Sequence, residues 1–378
     1  MTLLDKEQTC LLELLKTSLF GGVLVIPEDV NWDKLFELSK VQCIVPLLTS
    51  YVPAEYRNAW VEISCYSKAR FMQMIHEQNA IVNLLKENSI PFVILKGTAS
   101  AIYYPIPSIR TFGDIDIYVS KENMNLVNRL FEKNDYCLMN SDVRHCEYYK
   151  NGFEFELHSR YSSIYYKDIE QIVLNGLNNA VEYKICGNSF PGLPTYENGL
   201  VLLGHIMQHL KHTGIGLRQV LDWMMFVHNK LDDSAWEKHF RSFVVEAGLE
   251  KLAITVTFMC KKWLGLPNEI TWCNSADEEV ANQLLLRLFD DGNFGSDRAS
   301  VENVNKSIRD EGALKYLQRA GLINWSLAQK YRFFKPFAWI YQLYRYAGNG
   351  VSGLYSGEKV FRKGKNKMNL EELIRELE

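Results

Sequence analysis

The chain has 378 residues, 47% apolar and 23% charged, with 42 Lys and Arg against 45 Asp and Glu and a formal net charge of −3. That composition excludes collagenous, low-complexity and disordered classes. The near-neutral balance argues against a protein that grips long nucleic acid, an affinity that normally shows as a basic excess. At roughly 100–200 residues per domain the length allows about two or three domains. Met1 to Lys6 lack the basic and apolar regions of a signal peptide, and no apolar run approaches the roughly 18 residues of a membrane span. A cytoplasmic location without a membrane partner is therefore expected. The eight cysteines are scattered and include no Cys-x-x-Cys pair, which predicts reduced thiols rather than a disulfide framework or a zinc knuckle.

In chain order, residues 1–20 and 30–50 read as short helices, and Asn58 to Asn88 keeps helical spacing without an internal Pro or Gly. Residues 1–89 are thus expected to be a helical segment. At Ile90 the texture changes. Residues 91–95, Pro-Phe-Val-Ile-Leu, make a buried-strand pattern that Lys96-Gly97 ends, and Thr98 to Tyr104 follow as a helical turn before Pro105 and Pro107. Asp114 to Val119 alternates polar and apolar residues, which in a strand sends both aspartates to one face. Lys121 to Glu132 reads as a helix. Arg144 to Tyr149 and Phe153 to Leu157 read as strands joined at Lys150-Asn151-Gly152, a strong hairpin signal.

Residues 90–190 are expected to form an α+β unit on a mixed or antiparallel sheet. Helical spacing returns over 196–211, 216–228, 234–246, 249–264 and 278–289, predicting an all-α domain over 195–350. Asp291 to Ser300 reads as a loop, Ser307 to Ala347 as a helix kinked at Pro336, and 351–378 as a linker with Arg362 to Lys367 solvated before a short charged C-terminal helix.

The residues that carry chemistry arrive in a fixed order. Lys96-Gly97-Thr98 follows a strand, then come Arg110 and Gly113-Asp114-Ile-Asp116, then Glu154-Phe-Glu156-Leu-His158 on a later strand. Two carboxylates two apart on a strand present oxygens side by side, which suits a hard cation such as Mg²⁺. A third carboxylate on a neighbouring strand would complete a two-metal site for in-line phosphoryl displacement. Glu154 and Glu156 share a strand face, so alternation does not choose between them. A glycine turn lets backbone N–H groups approach a triphosphate.

This pattern resembles the nucleotidyltransferase superfamily typified by DNA polymerase β. Phe92 to Gly97, Tyr104-Pro105, Arg110, Gly113 to Asp116 and Glu156-Leu-His158 resemble more closely one branch, largely uncharacterised bacterial nucleotidyltransferases. The likeness continues through His205, His209, His212, Leu217-Arg218 and Asp222, over about residues 90–230. It implies an α+β polymerase β-like core, a mixed sheet with helices, flanked by N-terminal helices and a larger C-terminal all-α domain. It further implies Asp114, Asp116 and Glu156 as the catalytic and metal-binding carboxylates, with Mg²⁺, or Mn²⁺, as cofactor and a nucleoside triphosphate as substrate. Lys96, Gly97, Thr98 and Arg110 are the nucleotide-binding candidates. The usual Gly-Ser or Gly-Gly is Gly97-Thr98 here, and its β-branch restricts a tight turn.

His158, His205, His209, His212, Arg218 and Asp222 are candidate cleft residues. The three histidines of 205–212 share a helix face and would be a rival zinc site, although they lack the Glu of a His-Glu-x-x-His motif. Arg218 and Asp222, at i and i+4, are spaced to pair. The aromatic and basic stretch from Lys330 to Arg345 is expected to pack into a core. The expected reaction moves a nucleoside monophosphate to a small molecule or a protein or peptide side chain and releases pyrophosphate. The alternatives are a non-catalytic nucleotide-binding or interaction module on the same fold, and a toxin-like transferase acting on tRNA, an RNA acceptor that the net charge disfavours.

Overall fold

Phe92–Leu95 (β1) is apolar at every position and buried on both faces, as a central strand requires. The computed structural model describes residues 3–141, 145–161, 167–212, 214–293, 312–324, 328, 331–341, 343 and 368–378. Within them β1 joins β2 (Ile115–Val119), β3 (Cys137–Ser141), β4 (His145–Lys150), β5 (Phe153–His158), β6 (Val181–Ile185) and β7 (Asn188–Gly192) in one sheet, ordered β3-β4-β5-β2-β1-β7-β6. β2 is parallel to β5 and β1 to β7, while the other neighbours are antiparallel, so the sheet is mixed.

Asn151 and Gly152, at φ 52° and 86°, make the left-handed two-residue turn between β4 and β5 that Asn-Gly favours. β3, β6 and β7 were not expected as strands. β3 is an exposed edge strand whose Cys-Leu-Met-Asn-Ser has no apolar alternation. The β6–β7 hairpin turns at Cys186-Gly187, a pair that adopts the same left-handed geometry without the Asn or Asp that would announce it.

The helices are α1 (Lys6–Phe20), α2 (Trp32–Val41), α3 (Val45–Leu48), α4 (Arg57–Glu87), α5 (Gly97–Ala101), α6 (Met124–Lys133), α7 (Lys167–Asn178), α8 (Thr195–His212), α9 (Leu217–Lys230), α10 (Asp233–Ala235), α11 (Arg241–Glu246), α12 (Glu250–Trp263) and α13 (Glu278–Asp291). The expected helix over 234–246 is divided by a π-turn at Trp236–Phe240. α4 and α6 cover one face of the sheet, where Phe71, Ile75, Val82, Val127 and Phe131 pack with Ile94, Ile115, Ile117 and Phe155. On the opposite face Val93, Leu95 and Tyr118 join a second core with residues of α8, α9, α12 and α13. Alternation along β2 therefore places Asp116, beside Tyr118, between the sheet and the helices.

The second core also contains Leu11, Leu15, Leu35 and Leu47, so α1 to α3 pack with helices far along the chain. Gln42 fastens this union, its amide donating to the Leu288 carbonyl (2.8 Å) and accepting from the Leu217 N–H (2.7 Å). Further on, α14 (Ala313–Asn324) and a 3₁₀ turn at Arg332–Phe337 interrupt the expected long helix. Phe333 is 76% exposed, against the expected core packing, because a three-residue period broken at Pro336 does not gather the aromatics on one face.

Lys330, Arg345, residues 294–311 and the linker at 362–367 lie outside the described residues. α15 (Leu370–Leu377) buries Leu373 and Leu377 in the helical core. Among the described residues no helix is long and apolar enough to cross a membrane.

Candidate active site

The register brings the site together. Asp116 on β2 faces Leu95 on β1 and Glu156 on β5, and Tyr118 faces His158. Asp116 and Glu156 are thus direct neighbours on adjacent strands, whereas Glu154 is exposed and pairs with Tyr149. Lys96, the first residue after β1, stands at φ 47° and ψ −138°, a conformation that L side chains rarely adopt. That bend turns its ammonium onto Asp116, with Nζ 2.7 Å from Oδ1. Gly97, at φ 34°, follows; a Cβ there would meet the Asp114 carbonyl at 3.8 Å.

His158 completes the cluster. Its Nε2 lies 2.9 Å from the same Asp116 oxygen and 3.1 Å from Glu156 Oε2. Burial alone would raise the pKa of Asp116, but the Lys96 charge and the His158 hydrogen bond outweigh it and hold the carboxyl below the ordinary range. Burial opposes the charged forms of Lys96 and His158, yet their carboxylate neighbours leave both more basic than usual. Asp114 goes the other way, raised to about 6 by burial first and the Asp116 charge second.

One ligand atom from each of Asp116, Glu156 and His158 lies within 4.8 Å of the others, so these three could hold a metal ion. Two carboxylate oxygens and an imidazole nitrogen form a donor set that accommodates a divalent cation. Asp114, expected in the metal set, stands outside this group, at the entrance to β2.

Other candidates are engaged elsewhere. Arg110 is 6% exposed and holds Asp222 of α9 with both arms, Nε to Oδ1 at 2.7 Å and Nη2 to Oδ2 at 2.6 Å. The Tyr104 hydroxyl adds a third bond to Asp222 at 2.9 Å, and Arg110 Nη1 donates to the Thr111 carbonyl at 3.1 Å. The expected Arg218–Asp222 pair is therefore not formed. Its i, i+4 spacing is met, but Asp222 turns inward to Arg110, and Arg218 donates to Asn293 Oδ1 (3.1 Å). The buried Thr98 hydroxyl donates to Gln78 Oε1 of α4 at 2.6 Å, so it is a strut between α5 and α4.

His205 and His209 lie on α8 with their Nε2 atoms 2.8 Å apart, one imidazole donating to the other. Burial, then the nearby Lys96 and Arg218 charges, lowers the His209 pKa to about 4. Burial and the His209 ring likewise hold His205 well below the usual imidazole value. Both rings lie near enough to Lys96 for its charge to act on them. The His212 side chain lies outside the described residues.

Residues 28–265 match the family described as uncharacterised nucleotidyltransferase. The chain belongs to that family. The match reaches beyond the motif-bearing stretch in both directions, from just before α2 to the end of α12, and so takes in part of the N-terminal helices as well as the cleft. Nucleotidyl transfer is the family's general activity, so the chain is an enzyme with a nucleotide as substrate. No curated protein matches it.

Sequence reasoning missed Gln78 and Asn293. Neither sits in a motif, and Asn293 reaches the site only because Gly216 has no side chain. A Cβ there would lie 2.5 Å from Asn293 Cα.

Proposed function

We propose that this enzyme transfers a nucleoside monophosphate from a nucleoside triphosphate to a small molecule or to a protein or peptide side chain, releasing pyrophosphate with Mg²⁺ as cofactor and Mn²⁺ as a substitute. The supporting observation is the parallel β2–β5 register, which sets Asp116 beside Glu156, with Asp114 two residues earlier, just ahead of β2. Asp116 and Glu156, with His158 or Asp114, would hold the cation, which supplies positive charge against the triphosphate. In the reaction an acceptor oxygen or nitrogen bonds to the α-phosphorus, the bond between that phosphorus and the bridging oxygen breaks, and pyrophosphate leaves. Glu156 is half-buried at the cleft and is placed to receive the acceptor proton. Lys96 and the Gly97 backbone line the triphosphate side.

Arg110 acts here as a positioning residue, because its fork is closed by Asp222 and its third arm fixes the loop that leads to Asp114. The net charge of −3 favours a small or peptide acceptor over RNA. The non-catalytic module is the second reading, and the double engagement of Asp116 Oδ1 by Lys96 and His158 favours it, since a cation must compete with both.

Incubation with each labelled triphosphate, Mg²⁺ or Mn²⁺ and a cell extract split into metabolite, RNA and protein fractions tests the proposal. Label in metabolites or protein that Glu156→Gln abolishes supports it. Glu156-dependent label in RNA overturns the acceptor preference, and no label in any fraction leaves the binding module.

A further inference from the structure

Among the described residues, six cationic or imidazole groups lie near the carboxylates or near Lys96, and their partners sort them. Lys96 is paired with Asp116, Arg110 is closed on Asp222, and His158 bridges Asp116 and Glu156. His205 and His209 are weak bases that burial keeps neutral at ordinary pH. The remaining group is Arg218, in the first turn of α9 and half-buried. Among the described residues its acceptors are both neutral, Asn293 Oδ1 through Nε at 3.1 Å and the Thr111 carbonyl through Nη1 at 3.5 Å. Nη2 makes no hydrogen bond among those residues, so the guanidinium is oriented by two neutral acceptors and keeps one arm open.

Its contacts bring it to the loop that leads into the carboxylate strand β2. Thr111 is three residues before Asp114, at most about 10 Å of extended chain. The same Thr111 carbonyl accepts from Arg110 Nη1 at 3.1 Å, so Arg218 shares an anchor with the residue that orders the loop leading to Asp114. The neighbourhood is built to hold it. Asn293 is 2% exposed, its N–H donates to the Val41 carbonyl at 3.0 Å, and its buried Nδ2 has no hydrogen-bond partner among the described residues. A half-buried guanidinium that makes no ion pair among the described residues is able to receive an anion, and its planar fork matches phosphate oxygens bidentately.

We infer that Arg218, rather than Arg110, is the guanidinium that binds the phosphate chain of the nucleotide. This rests on the transferase reading above and adds to it the residue that recognises the triphosphate. An anionic acceptor would have the same chemistry, so the test must separate the two sources.

Inorganic tripolyphosphate serves as a probe that needs no choice of base. It is titrated calorimetrically, with Mg²⁺, into the full chain and into Arg218→Ala and Arg218→Lys, with the four nucleoside triphosphates and their monophosphates in parallel. Arg218→Ala is expected to weaken tripolyphosphate and triphosphate binding at least tenfold and monophosphate binding much less. Arg218→Lys restores part of the loss and remains informative if the alanine variant does not fold. Unchanged tripolyphosphate affinity in a folded Arg218→Ala protein overturns the assignment and leaves the transferase reading intact. So does a loss confined to the acceptor KM. A native protein that binds neither tripolyphosphate nor any triphosphate overturns both.

Discussion

The Arg110–Asp222 pair is the contact whose removal is easiest to quantify. Both side chains are 6% exposed, and Asp222 receives three hydrogen bonds, two from the guanidinium and one from Tyr104. Replacing Arg110 by Met strands a buried carboxylate, and replacing Asp222 by Leu strands a buried guanidinium; each is expected to cost about 3–5 kcal/mol. With a urea dependence of about 3 kcal/mol per M, the unfolding midpoint falls by about 1–2 M in either variant. The double variant strands no charge and is expected to regain more than half of that loss, giving a coupling energy of several kcal/mol in a double-mutant cycle. Activity behaves differently. Arg110 Nη1 also holds the Thr111 carbonyl ahead of Asp114, so the double variant regains stability without regaining turnover. Single losses below about 1 kcal/mol, or losses that simply add in the double variant, would refute the account of a closed buried pair.

Four further outcomes follow from the site. Because Asp114 keeps its proton up to about pH 6, its loss of that proton favours a bound cation, and Mn²⁺ affinity measured by calorimetry should rise with pH through about 6; a flat profile from pH 5 to 7 counts against it. His209 titrates near 4 in the fold and near its ordinary 6.5 when unfolded, so the unfolded chain binds more protons between those values. Stability is therefore lost as pH falls from about 6.5 toward 4, and His209→Gln should flatten the pH dependence of the urea midpoint. Thr98→Val leaves buried Gln78 without its donor and should cost about 1–3 kcal/mol with triphosphate affinity unchanged, whereas a raised triphosphate KM at unchanged stability would return the hydroxyl to the phosphates. Gly216→Ala drives a Cβ against the Asn293 backbone and should destabilise by about 1–3 kcal/mol while weakening tripolyphosphate binding, since Asn293 is what holds Arg218.

What could be read from residue order alone depended on how local the signal was. The alternation of Asp114 to Val119 sufficed to place Asp116 on a strand face, and Asn151-Gly152 sufficed for the hairpin that carries β5. The preference for Glu156 over Glu154 needed more, because both share a face and only the pairing of β5 with β2 sets one of them opposite Asp116. The pairing of Arg110 with Asp222 was not legible because the two lie 112 residues apart, beyond any motif window. The same distance problem hid Gln78 behind Thr98. The unexpected strands β6 and β7 are short and lie at and next to the sheet edge, where little burial is required to leave an apolar pattern.

The union of the N-terminal helices with the later ones sets an order of events during synthesis. The core beneath the sheet draws only on residues between Phe71 and Phe190, so it can consolidate as soon as that stretch has emerged. Gln42, by contrast, must wait for Leu288, 246 residues downstream. At about 5–20 residues per second that is an interval of roughly 10–50 s during which α1 to α3 carry exposed leucines without their permanent partners. Asn293 and the orientation of Arg218 come later still. The ribosome therefore releases the carboxylate wall of the cleft first and its cationic wall last, and a nascent chain halted before residue 288 would hold a folded sheet without a closed cleft.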